Sequence, residues 1–547
     1  MTAAEKSNLN SSDFEAPYPG TQAMPRWDAG ELAEAPIFNR RNLLAMIGPG
    51  LVMGASAIGG GEWLAGPAVT AMYGGALLWV ATVSIFFQVI YNIEISRYTL
   101  YTGEPIFTGK FRLPPHPMFW LVVYLLLDWG SIFPYLVTNA AVPLEAIMLQ
   151  RLPEHDTIAS DWWLHKWLCT GLYLMLLVPL VFGGKIYNSL KVVMTFKLVV
   201  VISFLLFLGI FFAKPESWFE IISGLFKFGN VPVPGGQVEN VFIEFFQRGR
   251  FPDVDLQLIA MIAALAAIAG NGGLTNTPIS NFTRDQGWGM GDKVGAIPSV
   301  VGGHGITLSH VGCVFQVNQR TLPRWRRWVR HVGRDQWIVW MGACLIGVSL
   351  PSILSVEFLP RGTDAKDWTM AALTAGGVQE HVTTPPPGVL AHYEPLRGMI
   401  SGPQWGRVFW GTTLFCGFLV LITSQCTTMD GFCRRWVDVT WTAVPSLRKL
   451  QTDKVKYVYF VVLMVFTACG LAIIWATEKP GFVFKVATTG YNFALAFSSW
   501  HTLVVNTWLL PPELRPGWAK RIALILGGCF FLSLGVMSAL KLAGVVN

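Results

Sequence analysis

The chain of 547 residues is 52% hydrophobic and only 13% charged, about half the charged share of a soluble domain. Its mean hydropathy is +0.46, and 40 Lys and Arg stand against 33 Asp and Glu. These values exclude an ordinary soluble enzyme, a disordered protein and a nucleic-acid binder. They leave a multi-pass membrane protein with room for roughly ten to thirteen spans.

Residues 1–38 are polar, with Glu5, Asp13, Glu15 and Pro17, and lack an apolar core of signal-peptide length. Residues 1–42 are expected to form a disordered cytoplasmic tail, ahead of a membrane domain over 43–545. Apolar runs predict eleven spans, near 43–70, 75–100, 118–148, 162–183, 188–213, 256–280, 336–358, 405–429, 456–477, 484–510 and 520–542. The segment 294–315 holds five Gly, one Pro and two His, and is expected to be interfacial or re-entrant. Residues 214–255 and 359–404 form two long outer loops. The first contains SWFEIISGLFKF, expected as an amphipathic surface helix. The second contains TTPPPG, which excludes regular helix there.

Loop charge orients the chain. With the N-terminus inside, the inner loops carry Arg97, Lys110, Arg112 and Lys185, the RWRRWVRHVGR run at 324–334, Arg434, Arg435, Arg448 and Lys449, and Lys520 and Arg521. The outer loops are mixed or acidic, as the positive-inside rule requires in a cell or inner membrane. The eight Cys show no CxxC spacing and read as buried free thiols.

Two spans are interrupted by glycine. In span 1, Gly59, Gly60 and Gly61 precede Glu62; in span 6, Gly270, Asn271, Gly272 and Gly273 precede Thr275, Asn276 and Pro278. Each glycine costs ~1 kcal/mol in a helix interior, so both helices are expected to unwind. Unwound backbone at membrane depth survives only where it is buried in protein or lines a cavity. Spans five apart, broken at matching places, are the mark of an inverted repeat of five plus five helices whose site lies at the midplane. Helix packing through small residues is the plainer explanation, but it asks for neither consecutive glycines nor an adjacent acid.

Glu62 is the acid most expected to act, because carboxylates inside a membrane mark pathways. Asp128 in LLLDWGSIF is a second acid and a candidate proton carrier, with a helix–helix hydrogen bond as the alternative. Glu94 is expected to pair with Arg97 at i+3. His501 is expected as a hydrogen-bonded core residue, and His304 and His310 lack a metal-binding pattern.

These residues resemble the Nramp family of proton-coupled divalent-metal transporters. The likeness is carried by GPG at 48–50, by Trp63, MYGGALLWV (72–80) and Gln88, and further on by SQCTTMDGFCRRW (424–436) and YNF (491–493). The resemblance implies a leucine-transporter-like fold with ten core helices and eleven or twelve in all. The departures lie in the site. The family's Asp-Pro-Gly-Asn of helix 1 falls on Gly59, Gly60, Gly61 and Glu62, and its Met-Pro-His of helix 6 on Gly270, Asn271 and Gly272. Asp128 matches an acidic position of the third helix, and Ser131 stands where a second acid is expected.

A site without sulfur or imidazole suits harder ions, magnesium before manganese or iron. Glu62 and Asn271 are its expected metal ligands, joined by Asn276, Asn492 of span 10 and freed carbonyls of Gly59–Gly61, Gly270 and Gly272. The alternative is a small organic solute such as an amino acid, its ammonium on Glu62. The partners are the cargo, a proton and the lipid bilayer, with no nucleic acid and no cofactor. No HExxH, GxSxG elbow, P-loop or clustered His/Cys ligands support a membrane enzyme.

Overall fold

The computed structural model describes residues 14–17, 19–37, 48–181, 186–296, 309–365, 367–387, 389, 398–450, 454–477 and 479–545. Each of the eleven predicted spans is helical. Span 1 runs Pro49–Ala57, breaks, resumes as the π-helical turn Gly61–Ala65 and continues as Gly66–Tyr73. Span 2 is Trp79–Thr102. Span 3 comes in three pieces, Pro117–Leu127, Trp129–Ile132 and Tyr135–Leu149, and span 4 in two, Ala159–Met175 and Leu177–Val181. Span 5 is Ile186–Phe212. Span 6 is Ile259–Ile268, then a break, the 3-10 turn Gly273–Asn276 and the helix Pro278–Asp285. Spans 7 to 11 are Met341–Phe358, Pro403–Ala443, Val455–Ala476, Pro480–Trp508 and Trp518–Leu542.

Among the described residues, nine helical stretches are long and apolar enough to cross a membrane. The other two predicted spans fail for opposite reasons. Span 1 is cut in half. Span 10 is whole but turns Thr488, Thr489, Asn492, Ser498, Ser499, His501 and Asn506 into the protein interior. Several helices open on proline, at Pro49, Pro117, Pro215, Pro403 and Pro480, where the missing N–H has no partner to lose. The GPG opening of span 1 is capped from afar: Asp335 accepts hydrogen bonds from the N–H groups of Gly48 (3.2 Å) and Gly50 (2.7 Å), a carboxylate at a helix N-terminus.

Span 6 lies at the centre, 94% of its length enclosed, whereas spans 5, 9 and 11 are only 33% enclosed and present apolar faces for lipid. The first half of span 6 packs on spans 10 and 11, span 8 packs on span 3, and the second half of span 1 packs on span 7. The broken helices thus pack against the continuous spans 7, 10 and 11.

Several expectations change. Span 8 does not stop near residue 429 but continues to Ala443, a helix of 41 residues and about 60 Å, twice the hydrocarbon core. Arg434 and Arg435 are therefore buried helix residues rather than loop charges. They are neutralised by Asp430 and Asp285, and by Asp128. Lys110, Arg112 and Arg97 are buried as well.

The tail is not wholly disordered. Asp28–Ala29 pairs in parallel with Cys313–Val314, Trp27 and Leu32 are buried, and Glu31 and Glu34 pair with Arg324 and Arg327. The RWRRWVRHVGR run is the helix Thr321–Arg334, which feeds straight into span 7 through Asp335–Trp340. Residues 297–308 of the expected re-entrant segment, His304 included, lie outside the described residues.

The helix Pro215–Gly224 covers part of the amphipathic run, and the helix Ala375–Thr383 ends where TPPPG begins. All eight Cys are free; Cys469 and Cys529 are exposed and the other six are buried.

Candidate functional site

The two breaks share one backbone shape. The first half of span 1 ends at Ile58 with φ −67° and ψ 84°, and the first half of span 6 ends at Ala269 with φ −68° and ψ 89°. A glycine follows each bend. Gly270 takes φ +111°, a region that costs other residues heavily. Gly61 serves close approach: a Cβ there would fall 2.2 Å from the carbonyl oxygen of Ile268. The helices thus meet backbone to backbone at their breaks.

Glu62 joins them. It is fully buried, and its carboxylate accepts the N–H of Gly59 through Oε2 (3.0 Å) and that of Gly270 through Oε1 (3.2 Å). These are the first N–H groups after each bend. One side chain therefore satisfies the first exposed donor of each break, which would otherwise carry a desolvation cost of ~1–3 kcal/mol each.

The freed carbonyls are capped separately. Lys197, in the middle of span 5, donates from Nζ to the carbonyl of Ile58 (2.7 Å) and to Oγ of Ser424 in span 8 (3.0 Å). Its ammonium also interacts electrostatically with Glu62. At span 6 the same duty falls to an amide. Gln88 of span 2 donates from Nε2 to the carbonyl of Ala269 (3.0 Å), and its Oε1 accepts from the N–H of Asn271 and Nδ2 of Asn276, both at 3.0 Å.

A small cavity of about 30 Å³ lies where the breaks meet. Its polar lining comes from Ser56, Asn271, Thr275, Ser424 and Thr428, with peptide groups of Gly59, Gly60, Gly270 and Gly272. Tyr135 and Tyr491 form an aromatic wall, their rings 6.1 Å apart and inclined at 72°.

The structure redistributes the expected site residues. Gly59, Gly60, Gly270, Asn271 and Gly272 line the cavity; Glu62, Gly61, Asn276 and Asn492 do not. The oxygens of Glu62 and Asn271, the expected metal ligands, each accept a hydrogen bond from the protein. Those of Glu62 hold the two glycine N–H groups, and Oδ1 of Asn271 accepts the indole N–H of Trp340 (2.8 Å). Asn276 donates to Gln88 and to the carbonyl of Asn271 (2.7 Å). Asn492 points at span 6 instead, donating to the carbonyl of Ala263 (3.0 Å).

Asp128 is bound on both oxygens, by Arg435 at 2.7 and 2.8 Å and by the indole N–H of Trp436 at 2.8 Å. Arg435 also donates to Ser131 (3.0 Å), which explains how a hydroxyl serves where an acid was expected. Asp128 is thus part of an ion pair between spans 3 and 8 and does not itself line the cavity. The Glu94–Arg97 pair forms at 2.7 Å. His501 is hydrogen-bonded to Tyr124 (2.7 Å).

No protein-family model and no curated protein sequence matches this chain. Solved structures do. A manganese transporter of Eremococcus coleocola, in complex with an aromatic bis-isothiourea compound, overlays with TM-score 0.57 at 12% identity, covering 92% of this chain and 88% of the transporter. A variant of the same transporter gives 0.59 at 11% identity over the same shares. A nucleobase–cation symporter in a closed conformation gives 0.48 at 11% identity, over 91% and 90%. The fold is leucine-transporter-like. At such identities the likeness establishes the fold alone.

Sequence reasoning missed Lys197, Gln88, Ser424, Tyr135 and Trp340. Lys197 had a signal: it is a lone cation in the apolar run VVMTFKLVVV, and intramembrane charge points to function. Gln88 had none beyond its place in the resemblance.

Proposed function

We propose that this chain is a secondary transporter that carries a small polar organic solute by alternating access, with the solute held between the breaks of spans 1 and 6. The lining of the cavity carries the reading. It offers hydroxyls, one amide, peptide groups and two tyrosine rings, and among the described residues no carboxylate, imidazole or sulfur. A few convergent polar groups beside aromatic walls suit an organic solute. A magnesium ion calls for one or two carboxylates, and softer metals call for sulfur or imidazole. The manganese transporter shares the fold with this chain, but its cargo does not suit these donors.

The bends at Ile58 and Ala269 are the points about which half-helices can turn without losing hydrogen bonds inside each half. Glu62 and Lys197 form a charge-balanced floor behind the cavity. The carbonyl of Ile58 and the hydroxyl of Ser424 are oxygen donors of the kind a sodium ion takes, and Lys197 already fills them. The chain supplies its own cation there, which favours protons over sodium as the coupling ion.

The test is uptake by the purified protein in liposomes, with and without a pH gradient, over a panel of amino acids and other small polar solutes beside Mg²⁺ and Mn²⁺. The expected result is accumulation of an organic solute, weakened by Tyr491→Ala, and no metal flux. Metal flux with no organic uptake would overturn the reading.

A further inference from the structure

A second cluster of chemistry-bearing side chains lies away from the cavity, where span 3 gives way to span 4. Glu145 sits near the end of Tyr135–Leu149, His155 in the connecting loop and His165 in the second turn of Ala159–Met175. All three are buried. Nε2 of His155 is 2.9 Å and Nδ1 of His165 is 3.3 Å from the same oxygen, Oε2 of Glu145. The three ligand atoms lie within 4.8 Å of one another.

The cluster is incompletely satisfied by protein. One carboxylate oxygen faces two imidazole nitrogens, while Oε1 of Glu145 and Nδ1 of His155 are buried with no hydrogen-bond partner among the described residues. Its surroundings hold the rings in place. Trp368, from the loop after span 7, stacks on His155 at 4.0 Å and 19° and meets His165 edge-on at 5.6 Å. Trp368 is itself fixed by Nε1–H donated to Asp156 (3.2 Å). Cys169, one turn beyond His165, places Sγ 3.4 Å from Nε2 of that ring, the nitrogen that does not face Glu145.

We infer that Glu145, His155 and His165 form a binding site for a zinc-class divalent transition metal, separate from the transport cavity. Two imidazoles and one carboxylate are a zinc ligand set. Bonds of ~2.0–2.2 Å from a tetrahedral centre set ligand atoms on the order of 3.3–3.5 Å apart, so the trio closes on an ion with small shifts. Imidazole excludes the hard ions magnesium and calcium as preferred occupants. The metal takes the place of the proton between Glu145 and the histidines, and locks the turn between spans 3 and 4 to the loop that carries Trp368. The sequence hid this site because its ligands stand ten residues apart on a helix end, a loop and another helix.

The experiment uses the full-length protein with its affinity tag removed. After exposure to ZnCl₂ and dialysis, metal content is measured by mass spectrometry for the wild type, His155→Gln and His165→Gln. The expected result is about one Zn²⁺ per chain, falling at least tenfold in each variant that remains monodisperse. Equal zinc in wild type and variants would overturn the site. A second measurement needs no variant: Zn²⁺ should raise the wild-type Tm by several degrees, reversed by EDTA, and Mg²⁺ should not. A Tm indifferent to Zn²⁺ would equally overturn it. Cobalt in place of zinc should give a visible d–d band of tetrahedral type; its absence at full loading would reject the coordination proposed.

Discussion

The breaks in spans 1 and 6 are built on the same bend, yet they are finished with opposite chemistry. At span 1 the freed carbonyl is met by an ammonium, Lys197, and the freed N–H by a carboxylate, Glu62. At span 6 the carbonyl is met by the amide of Gln88, and only the N–H of Gly270 reaches across to Glu62. A matching backbone thus does not require matching side chains. It requires that every exposed peptide group find a partner in a place without water. The charged solution is the more demanding, because loss of either partner strands an ion.

That contrast can be broken or sharpened in order of expected effect. Gly61→Val puts side-chain carbon against the carbonyl of Ile268, which is backbone and cannot rotate away. The cost is expected at or above the upper end of the ~1–3 kcal/mol usual for overpacking, and should appear as loss of monodisperse protein on gel filtration along with loss of uptake. Lys197→Met and Glu62→Gln each strand the opposite charge, at an expected ~3–5 kcal/mol. The double variant should lose less than the two singles together, with a coupling of ~1–3 kcal/mol readable in denaturant unfolding. Strict additivity would show that the two charges act independently.

Gln88→Ala removes a neutral partner from the second break and should cost ~1–3 kcal/mol, visibly less than either charge deletion. If it cost more, the amide rather than the two charged side chains would be the main tie. Asn492→Ala removes the bonds to the carbonyls of Ala263 and Thr488, an expected ~1 kcal/mol, and should leave the order of preferred solutes unchanged. Replacing Na⁺ by choline in the uptake assay should change nothing, since Lys197 already holds the oxygens of Ile58 and Ser424.

The breaks themselves were legible in the chain, because consecutive glycines inside an apolar run have few other uses. The eleven spans were legible for the same reason of composition. What supports the breaks was not. Hydropathy registers that Arg434 and Arg435 are charged, not that Asp430, Asp285 and Asp128 neutralise them inside span 8, so both were assigned to a loop. Residues 14–37 looked like a tail because their partners, Cys313–Val314 and Arg324, lie nearly three hundred residues away. Glu62 was singled out for a sound reason, the rarity of acids in a membrane, but that reason does not distinguish a ligand for cargo from a strut for the protein. Only the positions of the N–H groups of Gly59 and Gly270 do.

The role of Glu62 is therefore the point on which the account turns. Thermal unfolding of purified Glu62→Gln in the absence of any solute or metal addresses it directly. If the carboxylate ties the two breaks together, the empty variant should melt well below the empty wild type, and below Gln88→Ala. A variant that melts like the wild type while losing uptake would show that Glu62 touches the cargo instead.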